Sequence, residues 1–419
     1  MAHDRNGITG TVSRRRFLGA AGAAGLGSAL MASGLGLAAS GAPGKPKTKA
    51  APKPKETASA LPLRTFGRTG VQVTALSQGG MTDFTENQLL LNQSWKAGIN
   101  YWDTSTGYNG GKSELGYGQF FAKHPGVREK LFLVTKSGER NPEGLEKSLN
   151  LSLERMKIKH VDLFFFWYIE DIKEVDRPEL KAWAEAAKKA GKIRFIGLSS
   201  HKNMASVMEG AAKLGWLDGL MVTYNYRIMH DDDMKRAVDA CVAAGLGITA
   251  MKTQGGGPIN DTQADRELAG RLVAKGFTPE QAKIKAVLED TRIAAVCSQM
   301  PSMEILKANI AAVLDRTKLD SADWKALDRH AAASCHGTCA ACGRCERALK
   351  GSVPVADVMR HLMYARGYGE HAMARAFVRD LPAVVRGRMA SADFSRAERV
   401  CPQTLPIGRL MKEAILELA

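Results

Sequence analysis

Residues 131–167, LFLVTKSGERNPEGLEKSLNLSLERMKIKHVDLFFFW, carry the pattern from which the architecture of this chain follows. Two short, almost continuously apolar runs, Leu131–Lys136 and Asp162–Trp167, flank the amphipathic segment Pro142–Met156. Strands that are apolar on both faces are typical of parallel sheets covered by helices. The stretch therefore predicts a strand–helix–strand unit of a parallel sheet.

The same alternation of apolar run and amphipathic segment recurs between residues 73 and 300. Eight runs are predicted to be strands: Val73–Gln78, Asn100–Ser105, Leu131–Lys136, Asp162–Trp167, Arg194–Ser199, Gly219–Asn225, Gly247–Lys252 and Ala294–Met300. Eight such units predict an α/β fold, a closed (β/α)8 TIM barrel. The alternative is a doubly wound open sheet, but no Gly-x-Gly-x-x-Gly fingerprint follows the first run.

The formal net charge of the 419 residues is +16, a value that can indicate a nucleic-acid partner. Most of this charge lies outside the predicted barrel, with +3 in residues 1–42, +4 in residues 43–60 and +5 from residue 331 onward. No basic stretch interleaved with aromatic residues is present in the sequence, so we expect no nucleic-acid partner. A composition of 45% hydrophobic and 24% charged residues also excludes a collagen and a multi-span membrane protein.

The N-terminus has the features of an export signal. Residues 13–18, Ser-Arg-Arg-Arg-Phe-Leu, match the twin-arginine pattern, and an Ala/Gly/Leu-rich run with six glycines follows to residue 39. Because this run is less apolar than a spanning helix requires, residues 1–42 are predicted to be a cleavable twin-arginine signal. We expect the protein in the periplasm or on the outer face of the cytoplasmic membrane, touching the membrane only through an uncleaved signal. The Lys- and Pro-rich residues 43–60 are predicted to be an extended linker.

In a barrel of this kind the chemistry collects at the C-terminal ends of the strands. The second and third predicted strands bring Asp103, Tyr108 and Lys136 to that face. A lysine cation beside a phenol favours the phenolate and lowers the pKa of the phenol, and a carboxylate can orient the lysine through a charge-assisted hydrogen bond. These three residues therefore predict an acid–base unit at the mouth of the barrel.

Several segments along residues 61–315 resemble the aldo/keto reductase family. They are RTGVQVTALSQGGM (68–81), GINYWDTSTGY (98–108), LVTK (133–136), GLSS (197–200), YN (224–225) and MK (251–252). The resemblance implies a (β/α)8 barrel that transfers hydride between NADP(H) and a carbonyl or alcohol substrate. It also implies that Asp103, Tyr108 and Lys136 are catalytic, with Tyr108 as the general acid. The cofactor contacts that it implies are Ser199, Ser200, Tyr224 stacked on the nicotinamide, Lys252, and Asn309 on the adenine side.

Two positions depart from the family pattern. Trp167 stands where the family has its fourth catalytic residue, a histidine, and an indole can donate one hydrogen bond but cannot titrate as imidazole does. We therefore expect Trp167 to contribute to catalysis only by polarising the carbonyl. Gln299 replaces the glycine that the family usually has in the loop after the last strand, and residues 296–304 contain no basic residue to receive a 2′-phosphate. Both features of this loop lower the expected affinity for NADP(H).

Residues 316–419 extend beyond the predicted barrel and hold a cysteine motif. Cys339-x2-Cys342-x2-Cys345 matches the first part of the bacterial ferredoxin pattern, and a remote Cys401-Pro402 matches its end. In two-cluster ferredoxins the fourth ligand of each cluster comes from the other motif, so these four cysteines form one complete set. The positions of the other set are vacated, since they hold Leu349, Ser391, Phe394 and Ala397.

The cysteine pattern predicts one [4Fe–4S] cluster in a small helical, ferredoxin-like extension. Zinc bound by the same four cysteines is the alternative, because tetrahedral thiolate sites suit either metal. Cys335 is interpreted as a free thiol or an alternative ligand, and Cys241 and Cys297 as buried, inert thiols. With this extension, the chain is most similar to the iron–sulfur branch of the aldo/keto reductases.

The sequence thus predicts an exported oxidoreductase that acts on a small carbonyl or alcohol substrate and carries one cluster. If the cluster passes electrons, a redox partner is implied, whereas a structural cluster implies none. The alternative is a barrel that has lost reductase activity and serves as an iron–sulfur electron-transfer or ligand-binding protein.

Overall fold

The computed structural model describes residues 60–255, 263–333 and 339–419, so the predicted signal, almost all of the linker, and Cys335 lie outside the described residues. The described residues contain ten strands: β1 Leu63–Thr65, β2 Gln72–Thr74, β3 Leu76–Gln78, β4 Tyr101–Asp103, β5 Phe132–Ser137, β6 Val161–Phe166, β7 Ile193–Ser200, β8 Gly219–Thr223, β9 Gly247–Met251 and β10 Ala295–Ser298. Nine helices accompany the strands: α1 Gln88–Lys96, α2 Lys112–Lys123, α3 Pro142–Met156, α4 Pro178–Lys189, α5 Met204–Leu214, α6 Asp232–Ala243, α7 Gln263–Val273, α8 Pro279–Glu289 and α9 Met303–Leu314. Seven helices follow: α10 Ser321–Ala333, α11 Arg344–Ala348, α12 Val355–Tyr368, α13 His371–Asp380, α14 Ala383–Ser391, α15 Ser395–Arg399 and α16 Ile407–Leu418. None of the helices in these described ranges is both long enough and apolar enough to cross a membrane.

Eight of the strands close into a parallel barrel in the order β10-β3-β4-β5-β6-β7-β8-β9, which confirms the predicted (β/α)8 fold. The unit β5-α3-β6 corresponds to residues 131–167. Its helix α3 begins as predicted because Asn141 caps it, accepting a 2.8 Å hydrogen bond from the Gly144 amide, and Pro142 occupies the first helical position. The pairing of β5 with β6 sets Lys136 beside Phe165.

The first predicted strand, Val73–Gln78, is two strands in the structure. β2 pairs antiparallel with β1 in a separate two-stranded sheet, and only β3 belongs to the barrel. Phe66, between β1 and β2, is fully buried and packs on Tyr101 and Phe132, with ring centroids 6.2 and 5.1 Å away. The prediction of one continuous strand was wrong because β2 pairs with β1 in a hairpin. This hairpin packs on the apolar residues inside the barrel.

Side chains inside the barrel follow the two-residue period of the strands. Apolar residues at alternate positions form one interior cluster, which includes Tyr101, Phe132, Val134, Leu163, Phe165, Met221 and Met251. Two residues beyond Tyr101 and Val134, in the direction of the chain, are Asp103 and Lys136. The same period therefore points this acid and this base into the barrel at its C-terminal end.

The C-terminal helices have a core of their own. It is built mainly from α12 to α16 and includes Met359, Leu362, Met389, Leu410 and Met411. Leu349, Phe394 and Ala397, three of the four positions predicted to have lost a ligand, pack in or against this core. Helix α10 instead contributes Ala326 and Leu327 to the barrel core, which therefore continues past the boundary predicted at residue 315.

Lys202 joins the extension to the loops at the C-terminal end of the barrel. Its ammonium lies 3.1 Å from Glu170 of the barrel, and 2.9 Å from both Glu346 and Asp357 of the extension. Only 9% of this lysine side chain is exposed. A second contact, between the Asn203 amide and a carbonyl oxygen of the segment before α11, is 2.9 Å long. One barrel cation therefore neutralises carboxylates from both parts of the chain.

We predict that Lys202→Met loosens this junction, because three carboxylates would then face one another without the cation. Breaking a buried charge network in this way costs about 3–5 kcal/mol of unfolding free energy. Urea unfolding followed by circular dichroism measures the loss. The control is Lys189→Met, an exposed lysine on α4 whose loss should change stability by no more than about 0.5 kcal/mol. Equal stabilities of the two variants would contradict this role of Lys202.

Candidate active site

A buried ion pair lies at the C-terminal end of the barrel interior. The Lys136 ammonium donates to Asp103 Oδ1 at 2.5 Å and to the Thr104 carbonyl oxygen at 2.7 Å. The Lys136 and Asp103 side chains are only 1% and 3% exposed. Burial alone would lower the pKa of Lys136, but the charge and hydrogen bond of Asp103 outweigh burial and raise it. Lys136 is therefore a fixed cation beneath the mouth of the barrel.

Tyr108 is set above this pair by the loop that follows β4. Arg155 on α3 holds the loop through a 2.8 Å hydrogen bond to the Thr106 carbonyl oxygen. The two residues after Tyr108 are Asn109 and Gly110. Their φ values are 51° and 63°, in the left-handed region that Asn and Gly adopt most readily. This turn reverses the chain directly after Tyr108 and leads into α2.

The phenol of Tyr108 is protonated at neutral pH. The Lys136 ammonium lies 4.8 Å from the centroid of the Tyr108 ring. Burial raises the pKa of Tyr108 to about 12, although Lys136 lowers it. Lys136 acts in the expected direction, but the net shift of the Tyr108 pKa is upward, because desolvation of the phenolate is the larger effect. The arrangement favours Tyr108 as a proton donor.

Trp167 joins the same constellation from the end of β6. Its ring meets Tyr108 edge-on, with centroids 5.8 Å apart and an interplanar angle of 89°. Arg140 holds the backbone here with a 2.8 Å hydrogen bond to the Trp167 carbonyl oxygen. The structure thus brings together the four residues predicted to be catalytic, Asp103, Tyr108, Lys136 and Trp167.

The two serines predicted to contact a nicotinamide end β7 and are fully buried. Ser199 Oγ accepts a 3.1 Å hydrogen bond from the Tyr168 amide, and Ser200 Oγ donates to the Lys202 carbonyl oxygen at 2.9 Å. Asn309 is also buried and donates through Nδ2 to a serine hydroxyl at the end of β10, at 3.0 Å. All three side chains already have hydrogen-bond partners within the protein.

Tyr224 does not come to the mouth with the other predicted residues. It is fully buried in the core between the strands and the outer helices, and its hydroxyl donates to Asp290 Oδ2 at 2.7 Å. This placement leaves neither face of the ring open to a nicotinamide. The two-residue period explains it, because Met221 on β8 faces the barrel interior and Tyr224, three positions later, faces outward.

Lys252, at the end of β9, contacts the extension. Its φ of 56° is left-handed, and its ammonium donates to the Tyr364 hydroxyl of α12 at 2.8 Å. The same ammonium lies 4.9 Å from the Tyr364 ring centroid. The extension therefore reaches the mouth at a residue that the resemblance assigns to cofactor binding.

Two residues at the mouth were not predicted to be functional. Cys297 on β10, interpreted as an inert thiol, is half-buried and lies within hydrogen-bonding reach of Asp103. Burial raises the pKa of Cys297, with the charge of Asp103 adding to the effect, so its thiol stays protonated. His201 follows Ser199 by two residues. The two-residue period along β7 was the sequence signal that could have placed His201 on the interior face.

The four cysteines predicted to be ligands line one small pocket of the extension. Backbone amides donate to their sulfurs, as Ala341 does to Cys339 Sγ at 3.2 Å. Burial raises the pKa of Cys339 well above its ordinary value, and Cys345, Cys342 and Cys401 raise it further. Throughout the described ranges, however, no group of three or more His, Cys, Asp or Glu side chains is placed to hold a single metal ion.

Comparisons with known proteins agree with this fold. The sequence profile of the aldo/keto reductase family matches residues 73–332. An NADP(+) aldo-keto reductase of Schizosaccharomyces pombe is 30% identical over 177 residues, which are 39% of this chain and 49% of that protein. A D-threo-aldose 1-dehydrogenase of a Pseudomonas species is 25% identical over 279 residues, 58% of this chain and 80% of that protein.

Among solved structures, a thermostable aldo-keto reductase in complex with the inhibitor epalrestat has a TM-score of 0.54 at 24% identity. The likeness covers 64% of this chain and all of that one, and it supports the fold alone. The family profile spans more than half of the chain, and the strands that it covers close into the barrel described above. On this evidence the chain belongs to the aldo/keto reductase family.

Proposed function

We propose that this protein is an exported oxidoreductase of the aldo/keto reductase type that interconverts carbonyl and alcohol groups of a small molecule. The observation that carries the proposal is the buried Asp103–Lys136 pair beneath a protonated Tyr108 at the barrel mouth. The name of the Pseudomonas relative, an aldose dehydrogenase, supports a substrate of this class. The predicted signal supports export, since the twin-arginine route carries proteins that have already folded.

The chain's own residues supply the proton chemistry of such a reaction. Reduction of a carbonyl adds a hydride to carbon and a proton to oxygen. Tyr108 donates that proton, and the nearby Lys136 cation stabilises the phenolate that remains. Asp103 holds Lys136 in place and keeps it charged. In the oxidising direction the phenolate takes the proton back from the alcohol.

The residues predicted to hold NADP(H) do not fit a ready nicotinamide site. Ser199, Ser200 and Asn309 are bonded within the protein, Tyr224 faces away from the mouth, and Lys252 is bonded to the extension. These contacts favour the second proposal, a barrel that has lost reductase activity and serves in electron transfer or ligand binding. Titration of the purified protein with NADPH and NADH separates the two: binding supports the reductase, and no binding at millimolar concentration supports the alternative.

Tyr108→Phe tests the reductase directly, because it removes one hydroxyl and keeps the ring against Trp167. We expect kcat for the reduction of a probe aldehyde, 4-nitrobenzaldehyde, to fall about 10²- to 10⁴-fold, the usual contribution of a general acid. The measurement is turnover with NADPH, and circular dichroism of the variant shows that the fold is retained. Turnover within a factor of about three of the unsubstituted protein would contradict Tyr108 as the proton donor.

We also propose that the extension carries one [4Fe–4S] cluster on Cys339, Cys342, Cys345 and Cys401. The four thiols line one pocket, and backbone amides donate to three of the sulfurs, a feature that tunes such clusters. Arg344 lies beside Cys342 and lowers its pKa, although burial has the larger effect and raises it. A cation here would favour the negative charge of a thiolate-bound cluster. When bound, the cluster would supply one-electron redox chemistry or brace the extension.

The order of the four cysteines along the chain favours a cluster over zinc. Cys339-x2-Cys342-x2-Cys345 followed by a remote Cys401-Pro402 matches the ferredoxin pattern, in which each thiolate binds a different iron.

Protein purified without air should be brown and contain about four irons per chain, as expected for one [4Fe–4S] cluster. Cys342→Ser should lose the visible absorbance and most of the iron, because one of four ligands is gone. The matched control is Cys241→Ser, which changes a buried thiol of α6 outside the predicted ligand set and should keep both. Zinc in place of iron, or unchanged iron in Cys342→Ser, would overturn this assignment.

A further inference from the structure

His201 follows β7 on the interior face of the barrel. A side chain added at Gly197 would place its Cβ 2.6 Å from the ring of Phe165, an interior residue, so Gly197 faces inward. The two-residue period then places Ser199 and His201 on the same face, with His201 outermost. His201 thus stands at the mouth that holds Tyr108 and Trp167.

The extension and the loop after β6 hold this histidine in place. The Tyr168 ring stacks on the imidazole, with centroids 5.0 Å apart and an interplanar angle of 24°. Arg360 of α12 donates to the His201 carbonyl oxygen at 3.1 Å. The Tyr168 hydroxyl in turn donates to Asp357 of α12 at 2.9 Å. The ring of His201 is therefore stacked on one face, and its backbone is held by the extension.

Nδ1 of His201 is buried and has no hydrogen-bond partner among the described residues. A buried polar atom without a partner is costly, and its occurrence in a folded protein calls for an explanation. His361 on α12 shows the usual solution, since its Nδ1 is paired with the Asp357 carbonyl oxygen at 2.8 Å. The His201 ring is held in place, but its Nδ1 has no hydrogen-bond partner among the described residues.

The charges around His201 keep the ring neutral. Burial lowers the pKa of His201 well below its ordinary value, and the Lys252 and Lys136 cations lower it further. Because the Lys136 charge acts on His201, the imidazole lies within the electrostatic field of the ion pair beneath Tyr108. A neutral imidazole offers one donor and one acceptor, which suits a hydroxyl or carbonyl oxygen.

We propose that His201 hydrogen-bonds an oxygen of the substrate at the barrel mouth. The family resemblance places a histidine at the end of β6, where this chain has Trp167. His201 provides an imidazole from the end of β7 instead. This inference rests on the proposed oxidoreductase function and names a substrate-binding residue for it. The extension takes part through Arg360, which holds the backbone of His201.

Nuclear magnetic resonance of the full chain with ¹⁵N-labelled histidine tests the proposal without turnover. The signal of His201 is identified by its loss in His201→Phe, a variant that keeps a ring against Tyr168. Addition of the probe 4-nitrobenzyl alcohol at millimolar concentration should shift the His201 ring nitrogens. His201→Phe should weaken binding about tenfold, the value of one hydrogen bond. The control His160→Phe, at the opposite end of β6, should bind as the unsubstituted protein does.

Probe binding that leaves the His201 nitrogens unmoved and is unaffected by His201→Phe would overturn the proposal, and so would a failure of the alcohol to bind at all. If His201→Phe does not fold, His201→Gln identifies the His201 signal in the same way. Failure of the proposed function has a different signature: the alcohol binds and His201 responds, but no oxidation or reduction follows with NADP(H).

Discussion

The candidate site depends on one interaction, the buried pair between Asp103 and Lys136. A lysine that is 1% exposed stays charged only because a carboxylate lies 2.5 Å away, and that carboxylate is itself removed from water. The barrel makes the pair possible, because neighbouring strands β4 and β5 bring both residues to the same end of its interior. The Lys136 cation lowers the pKa of Tyr108 above the pair, but burial raises that pKa by more, so Tyr108 keeps its proton. The result is a neutral acid held over a fixed positive charge.

The extension contacts the barrel at its C-terminal end. It is held to the loops at the C-terminal end by Lys202, and it places Tyr364 on Lys252 and Arg360 on the backbone of His201. These contacts lie where the family resemblance leads one to expect a nicotinamide. The cysteine segment also contacts the barrel at this junction. Ala341 lies between Cys339 and Cys342, and its carbonyl oxygen accepts a hydrogen bond from the backbone N–H of Asn203. A cluster in that pocket would therefore stand beside the barrel loops that carry His201.

The local pattern was sufficient to predict the barrel and the meeting of side chains at its mouth, because strand period and strand ends are local properties. Asp103, Tyr108, Lys136 and Trp167 meet as expected for that reason. The outward position of Tyr224 follows from the strand period, which the family resemblance did not take into account. The contact of Lys252 with Tyr364 depends on a partner 112 residues away in the chain, which no local pattern specifies. The pKa of Tyr108 was missed for a different reason: the charge of Lys136 is visible in the sequence, whereas the degree of burial is not. The division of residues 73–78 into β2 and β3 likewise depends on the distant hairpin strand β1.

Titration of the Tyr108 phenol shows whether a neutral acid lies over the buried ion pair. Carbon-13 labelling at Cζ of tyrosine reports each phenol separately, and Tyr108→Phe identifies the Tyr108 signal. We expect Tyr108 to keep its proton at neutral pH and to titrate with a pKa of about 12, above the ordinary value near 10. A pKa of Tyr108 near neutrality would show instead that the Lys136 charge outweighs burial and that Tyr108 is not held as a neutral acid.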